Sequence, residues 1–385
     1  MAKTFYLLRE LGFFRLLRYM LLYPLRSVQW YAAWASDFRS EKRSHLHILQ
    51  RINDDILEKR PLSDKRKREI RDYYQGFGMK INTRWHEACY ALNGTDSNRY
   101  LSEFIFYQYI EPHFNNLRLH RGFSDKNLYR THFPCISQPR TILRFMRNRF
   151  YDESYRVMDA DSVLNRLLEQ AEPAIIKPSL ESGRGRNVRI LNVVNRKIYL
   201  NGNRVDLDDL MRIYQSGFII QELVNQHEAL KVLNPHSLNT IKLVTFRFNH
   251  GVKVLSAMLR TAGDEYYLDS VNRGGLFCGI RPDGSAKSMA FDRYFNDHRS
   301  HPYSKVTFGD VKIPDFKRLK DSVCDMHKLN FYCDIASWDI GVHRSGEPVL
   351  IETNLKNQGI LLHQIVNGPL FGELTEEVFR TVIND

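Results

Sequence analysis

The sequence predicts an α+β fold in which most strands are joined by hairpins. Short apolar runs follow one another through the middle of the chain and are separated by turn residues such as Asn201-Gly202 and Asn249-His250-Gly251. Few helical segments lie between these runs, whereas a doubly wound parallel sheet needs a helix after nearly every strand. With 385 residues, 43% of them hydrophobic and 26% charged, the chain has ample material for a globular core.

The apolar runs divide the chain into three regions. Residues 1–95 are predicted to be helical and basic, and the Asn93-Gly94-Thr95 turn marks their end. Residues 96–225 and 226–385 hold the mixed α/β part. The charged run at residues 64–69 is interpreted as a solvated helix face. Nucleic-acid binding is not favoured, because only Tyr73 and Tyr74 follow this run and aromatic residues are not interleaved with it.

Residues 1–39 carry six Lys or Arg side chains against two acids, with apolar residues at helical spacing from Phe5 to Leu21. No signal peptide is indicated, because arginines interrupt every apolar stretch, and no stretch has the roughly 20 apolar residues of a membrane span. The pattern predicts an amphipathic helix. One interpretation places it on an anionic membrane surface, and the other packs it against its own domain.

Net charge and cysteine content limit the partners and the compartment. The net charge of +12 indicates an anionic partner such as phosphates, an acidic glycan or a membrane surface. The five cysteines are scattered without a CxxC spacing, so neither a disulfide framework nor a zinc site is indicated. A cytoplasmic protein, peripheral on the inner face of the membrane if its N-terminal helix docks there, fits these features.

The elements of the mixed part follow from hydrophobic pattern and turn residues. The predicted strands are residues 174–178, 188–191, 197–200, 218–223, 241–248 and 252–259, and residues 315–330 are predicted to form a helix before the final hairpin.

The final hairpin, Trp338 to Asn354, is the most informative segment. If its turn is centred between Ser345 and Gly346, Asp339 faces Glu352, and Asn354 lies on the same face. Two facing carboxylates repel each other unless a cation lies between them, and two carboxylates with an amide oxygen suit Mg²⁺. The alternative is a solvated hairpin with two exposed acids. The apolar residues 349–351 favour a buried strand and hence a metal site.

A second motif surrounds Lys177. This lysine ends a predicted strand and precedes a glycine-containing loop, residues 178–187, before the next strand. The segment lacks the GK[ST] of a P-loop and is followed by a strand rather than a helix. Its backbone N–H groups and arginines are suited to folding over phosphates.

Together these motifs resemble the ATP-grasp superfamily, and within it the sugar-transfer associated ATP-grasp proteins. The landmarks that carry the resemblance are Ile105-Phe106-Tyr107, Ile110-Glu111-Pro112, Asp125-Lys126-Asn127, Ile176-Lys177-Pro178-Ser179, Gln221-Glu222-Leu223, Gln226-His227, Asn239-Thr240-Ile241-Lys242, Asn272-Arg273-Gly274-Gly275, Asp339 and Glu352-Thr353-Asn354. The resemblance implies two α+β lobes clasping ATP: residues 96–225 with a glycine-rich lid loop, and residues 226–385 with the metal site.

The resemblance also implies the role of each residue. Lys126 and Lys177 would hold the ATP phosphates, assisted by Ser182, Gly183 and Gly185 of the loop. The inter-lobe hinge Gln221, Glu222 and Leu223 would contact adenine, and Glu228 the ribose. Asp339, Glu352 and Asn354 would bind Mg²⁺, and Arg260 would stabilise the transferring phosphate. Lys242 stands where such proteins commonly carry arginine, so a carboxylate clamp there loses the bidentate fork.

The implied function is an ATP-dependent carboxylate–amine ligase that forms an acyl phosphate. The family context points to a glycan or sugar carboxylate, such as a uronic acid, joined to an amine during polysaccharide or capsule biosynthesis. Two alternatives stay open at this point. One is an ATP-grasp kinase that phosphorylates a glycan hydroxyl, and the other is a non-enzymatic protein that binds a membrane or polyanion.

Overall fold

The computed structural model describes residue 52 and residues 54–384, apart from positions 181–184, 216, 250, 266, 268 and 272–273. The predicted amphipathic helix from Phe5 to Leu21, and with it the predicted membrane-binding segment 1–39, lies outside the described residues. So do Ser182 and Gly183 of the predicted phosphate loop. No helix in the part that is described is both long enough and apolar enough to cross a bilayer.

The first sheet has eight strands among the described residues, and every neighbouring pair is antiparallel. Its strands are β1 (Thr141–Met146), β2 (Arg149–Tyr151), β3 (Val157–Met158), β4 (Ala174–Pro178), β5 (Arg189–Val194), β6 (Lys197–Leu200), β7 (Asn203–Val205) and β8 (Phe218–Glu222). Their order across the sheet is β3-β2-β1-β8-β4-β5-β6-β7.

One face of this sheet packs in an apolar core, and the other carries Lys177. Ile176 of β4 lies opposite Ile220 of β8, and both pack in a core that includes residues of the helices Ala160–Leu168 and Leu207–Ile213. Since side chains alternate along a strand, Lys177 and the next β8 residue, Gln221, lie on the opposite face.

The second sheet has seven described strands, again all antiparallel. They are β9 (Thr240–Phe248), β10 (Gly251–Thr261), β11 (Leu276–Ile280), β12 (Ala286–Phe291), β13 (Asp297–His298), β14 (Ile335–Val342) and β15 (Pro348–Asn354), in the order β13-β12-β11-β10-β9-β14-β15. The antiparallel pairing throughout confirms the α+β prediction and excludes a doubly wound sheet for the described residues.

The two faces of the second sheet have separate cores. Leu243 and Trp338 pack with the helix Phe316–Lys328 on one face. On the other face, Val244, Phe246 and Ile335 pack with residues of the C-terminal helices. Lys242 and Asp339 lie on this second face, beyond the end of its apolar core.

The remaining α-helices surround the sheets. They are Asp54–Glu58, Asp64–Gln75, Arg84–Asn93, Glu103–Ile105, Glu111–Phe114, His120–Ser124, Tyr129–His132, Glu228–Lys231, Ile360–Asn367 and Thr375–Asn384. The helices at 54–93 agree with the predicted helical region, and Gly94 ends the third of them in the left-handed conformation (φ 75°). The six predicted strands and the predicted helix are all confirmed with small shifts at their ends. The divisions at residues 95 and 225 stay predictions.

Candidate functional site

The hairpin of β14 and β15 places Asp339 directly opposite Glu352, as the sequence predicts. Asn354 lies opposite Ser337, two residues along on the face of Glu352. A bulge directly after Asp339 shifts the register towards the turn, so that Ile340 faces Leu350. Asp339 is only 5% exposed. The alternative of a solvated hairpin with two exposed acids is therefore wrong.

Side-chain cations surround Asp339. Lys242 faces it across β9 and β14, and its Nζ lies 3.1 Å from Asp339 Oδ1. Arg260 reaches the same carboxylate from β10, with Nη2 3.0 Å from Oδ2. The two cations lie on neighbouring antiparallel strands of one hairpin, which is why they converge on one acid. Both residues that the sequence predicts as catalytic thus contact a predicted metal ligand.

Glu352 is paired with a lysine from outside its own sheet. Lys126 Nζ lies 2.8 Å from Glu352 Oε1, and the lysine is 4% exposed. A short turn, Lys126–Leu128, carries this lysine, and its amide donates to Ser179 O, just beyond β4. The turn thereby connects the end of the first sheet to the carboxylate of the second.

Lys177 completes the group of cations. Its side chain is buried, and Nζ lies 3.5 Å from the carbonyl oxygen of Ile351, next to Glu352. Burial, followed by repulsion from Lys126, lowers the pKa of Lys177 to about 7. This ammonium group has no carboxylate within ion-pair distance among the described residues, whereas Lys126, Lys242 and Arg260 each have one. An anionic ligand would therefore stabilise the charged form of Lys177 in particular.

Both carboxylates are held in the ionised state. Burial alone would raise the pKa of Asp339, but Arg260 and Lys242 outweigh it and keep the pKa below its usual value. Burial likewise opposes ionisation of Glu352, and Lys126 reverses the effect, so that the pKa of Glu352 is also lowered. The repulsion between the facing acids is thus relieved by the protein's own cations.

This donor set fits Mg²⁺. Two ionised carboxylates and the Asn354 amide oxygen are hard oxygen ligands, and Mg²⁺ is usually held by one or two carboxylates plus substrate phosphates and water. No group of three or more His, Cys, Asp or Glu side chains that could hold a metal occurs in the described part of the chain.

The predicted hinge residues lie at the end of β8. Gln221 donates from Nε2 to Pro139 O (3.2 Å), while its buried Oε1 has no partner among the described residues. The Glu222 amide donates to Arg140 O, and its carboxylate forms an ion pair with the same arginine, which lowers the pKa of Glu222. Leu223 is 45% exposed. In this structure Glu222 is thus engaged by Arg140, a residue that sequence reasoning did not single out.

The other predicted binding residues lie apart from the carboxylates or only partly within the described residues. Glu228 begins the helix Glu228–Lys231 with a side chain that is 76% exposed and 3.5 Å from Lys231. In the phosphate loop, Gly185 adopts a left-handed conformation (φ 68°), which favours glycine. Neither observation involves Asp339 or Glu352, so the roles predicted for Glu228 and Gly185 stay predictions.

Thr240 and Asp269 also contact Arg260, and sequence reasoning gave neither of them a role in the site. The Thr240 hydroxyl donates to Asp269 Oδ2 and accepts from Arg260 Nη2 (3.0 Å). Asp269 is also 3.4 Å from the Arg260 guanidinium, so Arg260 lies between two carboxylates. The predicted β9–β10 hairpin could have indicated Thr240, because its register places this residue opposite Arg260. Asp269 lies in an irregular loop and had no such signal.

The loop that carries Asp269 ends at a tightly enclosed glycine. A Cβ at Gly275 would lie 2.9 Å from backbone atoms of both Ser270 and Thr261. Gly275 also donates its amide to Ser270 O. Only glycine allows this close return of the loop onto the end of β10, next to Arg260.

Comparison with solved structures finds several similar chains at low sequence identity. The VanG D-Ala:D-Ser ligase from Enterococcus faecalis is 12% identical (TM-score 0.36; 68% of this chain, 61% of that structure). The ATP-grasp ligase PsnB, solved with a minimal precursor, Mg and ADP, is 11% identical (TM-score 0.40; 70% and 62%). The D-alanine–D-alanine ligase from Bacillus anthracis is 14% identical (TM-score 0.38; 68% and 67%). The chain thus spans less than two thirds of the length of the first two structures.

A search of curated proteins finds none that matches. A family profile described as sugar-transfer associated ATP-grasp matches residues 107–379, which is more than half of the sequence. The chain therefore belongs to the sugar-transfer associated ATP-grasp family, and its fold is an ATP-grasp fold.

Proposed function

We propose that the protein is an ATP-dependent carboxylate–amine ligase that works through an acyl phosphate. The observation that carries the proposal is the pair of ionised carboxylates, Asp339 and Glu352, surrounded by four cationic side chains. Lys126 and Lys177 are associated with the first sheet, and Lys242 and Arg260 belong to the second. A polyanionic triphosphate and an acid substrate are the ligands that such a group of charges favours.

Each cation has a role in this proposal. Lys177 and Lys126 bind phosphate oxygens of ATP, and Lys126 exchanges its contact with Glu352 for that purpose. Arg260, fixed by Thr240 and Asp339, stabilises the charge of the phosphoryl group during transfer. Lys242 binds the carboxylate of the acid substrate. Gln221, Glu222 and Leu223 contact adenine, Glu228 the ribose, and Ser182, Gly183 and Gly185 cover the phosphates.

The reaction has two steps. A carboxylate oxygen attacks the γ-phosphorus, the bond from phosphorus to the bridging oxygen of ADP breaks, and ADP leaves. An amine then attacks the acyl carbon, the bond from that carbon to the phosphate oxygen breaks, and the amine loses a proton. The cations hold the reacting groups in line. Mg²⁺, held by Asp339, Glu352 and Asn354, supplies neutralisation of phosphate charge when it is bound.

Trapping of the acyl phosphate tests the ligase. With ATP, Mg²⁺, hydroxylamine and a panel of free and glycan-linked uronic acids, we expect ADP and an acyl hydroxamate in equal amounts, because hydroxylamine replaces the amine. Mass spectrometry of the products identifies the acid. A stable phosphorylated glycan that does not react with hydroxylamine would instead show a kinase. No ADP with any acid, and no ATP binding, would favour the non-enzymatic alternative.

The biological setting that we propose is amide formation on a cell-surface polysaccharide, such as a capsule, or on its precursor. The family description associates the fold with sugar transfer, and a uronic acid supplies the carboxylate that the chemistry requires. This part of the proposal rests on the family description rather than on a particular residue.

We further propose that residues 1–39 bind the inner face of the cytoplasmic membrane, where a lipid-linked glycan would be accessible. Each arginine near an anionic surface contributes roughly 1 kcal/mol, and the apolar positions from Phe5 to Leu21 add burial. Full-length protein is expected to float with anionic liposomes at low salt, and protein lacking residues 1–39 is not. Equal flotation of the two proteins, or none for either, would contradict membrane binding by this segment.

A further inference from the structure

His363 is a fully buried histidine next to the site, and one of its ring nitrogens has no partner. It lies on the helix Ile360–Asn367 with 0% of its surface exposed. Nδ1 is 2.9 Å from Ser256 Oγ, whereas Nε2 has no hydrogen-bond partner among the described residues. A buried polar group without a hydrogen-bond partner destabilises the fold, so a ligand that pairs with this atom would be favoured.

The hydrogen bonds around Ser256 determine which ring nitrogen carries the proton. Asn367 Nδ2 lies 2.8 Å from Ala257 O, which can only accept, so this atom is the amide nitrogen. Its second proton goes to Ser256 Oγ, 2.9 Å away. The serine hydroxyl also needs an acceptor for its own proton, and His363 Nδ1 is its remaining partner among the described residues, so Nδ1 accepts. In a neutral ring the proton therefore resides on Nε2, and the unpaired atom is a donor.

The strand register places Ser256, the partner of His363, on the sheet face that carries Lys242. Ser256 of β10 lies opposite Val244 of β9, and Lys242 is two residues from Val244 on the same face. Burial, and then the charge of Lys242, lowers the pKa of His363 to about 3; Asp339 opposes and Arg260 adds to this effect. The imidazole is thus neutral and within electrostatic reach of the charged groups of the site.

We propose that His363 Nε2–H and Lys242 Nζ are the two donors that bind the carboxylate of the acid substrate. The ammonium group of lysine is a point charge that binds one carboxylate oxygen, whereas the planar guanidinium group of arginine can bind both oxygens. A neutral N–H beside it fixes the second oxygen without adding another buried charge. This inference rests on the proposed ligase function, because it assigns the acid substrate to that site.

Nuclear magnetic resonance of ¹⁵N-histidine-labelled full-length protein tests the donor directly, with D-glucuronate and Mg-ADP as the probe. His327 is the matched control, because it is equally buried but both of its ring nitrogens have partners, Thr245 Oγ and Cys333 O. His363→Gln and His327→Gln assign the two signals. We expect His363 to be the Nε2–H tautomer at neutral pH and its Nε2–H signal to shift with glucuronate, while that of His327 stays. An Nδ1–H tautomer, or no shift, would overturn the proposal.

Kinetics separate this inference from the ligase itself. In His363→Leu we expect the KM for glucuronate in hydroxamate formation to rise about 10-fold to 100-fold, as for a lost hydrogen bond to a charged group, with the KM for ATP unchanged. His363→Gln keeps an amide N–H and should recover most of the loss, and His327→Gln should leave both KM values unchanged. Hydroxamate formation with an unaltered KM in His363→Leu would overturn the carboxylate clamp and leave the ligase standing. Absence of hydroxamate from the wild type would count against the ligase function, while the tautomer and signal shift would still decide the role of His363.

Discussion

Replacing Asp339 by asparagine is expected to abolish ATP-dependent turnover and to destabilise the protein at the same time. Turnover falls by about 10²-fold to 10³-fold or more, because the site loses a hard ligand and the acid that positions Arg260 and Lys242. Stability falls by about 3–5 kcal/mol, because the buried ammonium group of Lys242 loses its partner and Arg260 loses one of its two carboxylates. Urea denaturation and ADP release measure the two effects.

A double variant separates the two effects. Asp339→Asn with Lys242→Met removes the unpaired ammonium group, while Arg260 retains Asp269. Most of the lost stability should return, and turnover should stay absent.

Glu352→Gln should lose both turnover and stability, as expected for Asp339→Asn, because Lys126 loses its partner. Normal turnover in either single variant would refute the metal assignment. Unchanged stability would show that these pairs contribute nothing net to the fold.

Lys177→Met is expected to stabilise the ligand-free protein while weakening ATP binding. Moving the pKa of this lysine from 10.5 to about 7 corresponds to roughly 5 kcal/mol, most of which opposes folding at pH 7. Methionine fills similar space without a charge to desolvate. ATP binding should weaken by about 2–4 kcal/mol, as for the loss of one preorganised electrostatic partner. Thermal melting without nucleotide and calorimetry with Mg-ATP measure the two changes. Wild-type affinity and turnover in this variant would contradict the role of Lys177.

The pH dependence of stability gives an independent check on Lys177. The folded protein has the lower pKa, so between about pH 7 and 10.5 the unfolded chain binds more protons at this residue. The destabilising effect of Lys177 on the folded protein therefore decreases as the pH rises through that window, and it is fully present below the window. Lys177→Met should remove this part of the slope. Binding of a phosphate anion favours the charged form, so ATP binding near pH 7.5 should take up protons, measurable by calorimetry in buffers of different ionisation enthalpy.

The part of the site that the sequence predicted depends on local geometry. The alternation of side chains and the position of one turn were enough to place Asp339 opposite Glu352, because both residues belong to a single hairpin. The same reasoning located β4, β5, β6, β8, β9 and β10. It missed β1, β2, β3, β7, β11, β12 and β13. Of these, β2, β3, β7 and β13 have only two or three residues, too few for a clear alternation. The turn after β1 is made by left-handed Arg147 and Asn148 rather than by glycine.

The part that was missed depends on contacts between distant segments. The repulsion between Asp339 and Glu352 pointed to a cation, but nothing in the hairpin itself shows that Lys126 and Lys242 supply it in the ligand-free state. His363 is equally invisible in the sequence, because its helix has an ordinary apolar pattern. Its importance emerges only from the hydrogen bonds of Ser256 and Asn367.

The contacts that build the site join positions far apart along the chain, with consequences for the order of folding. Lys126 and Glu352 are separated by 226 positions, and Lys177 and Ile351 by 174. The hydrophobic core of the first sheet is built from residues 142–220. This sheet can therefore form before the long-range contacts of the site, which require much longer chain segments to close into loops. We therefore expect the site to assemble late in folding, after the two sheets exist. The same contacts should be among the first to separate in partial unfolding, with hydrogen exchange in the 126–128 turn faster than in β9.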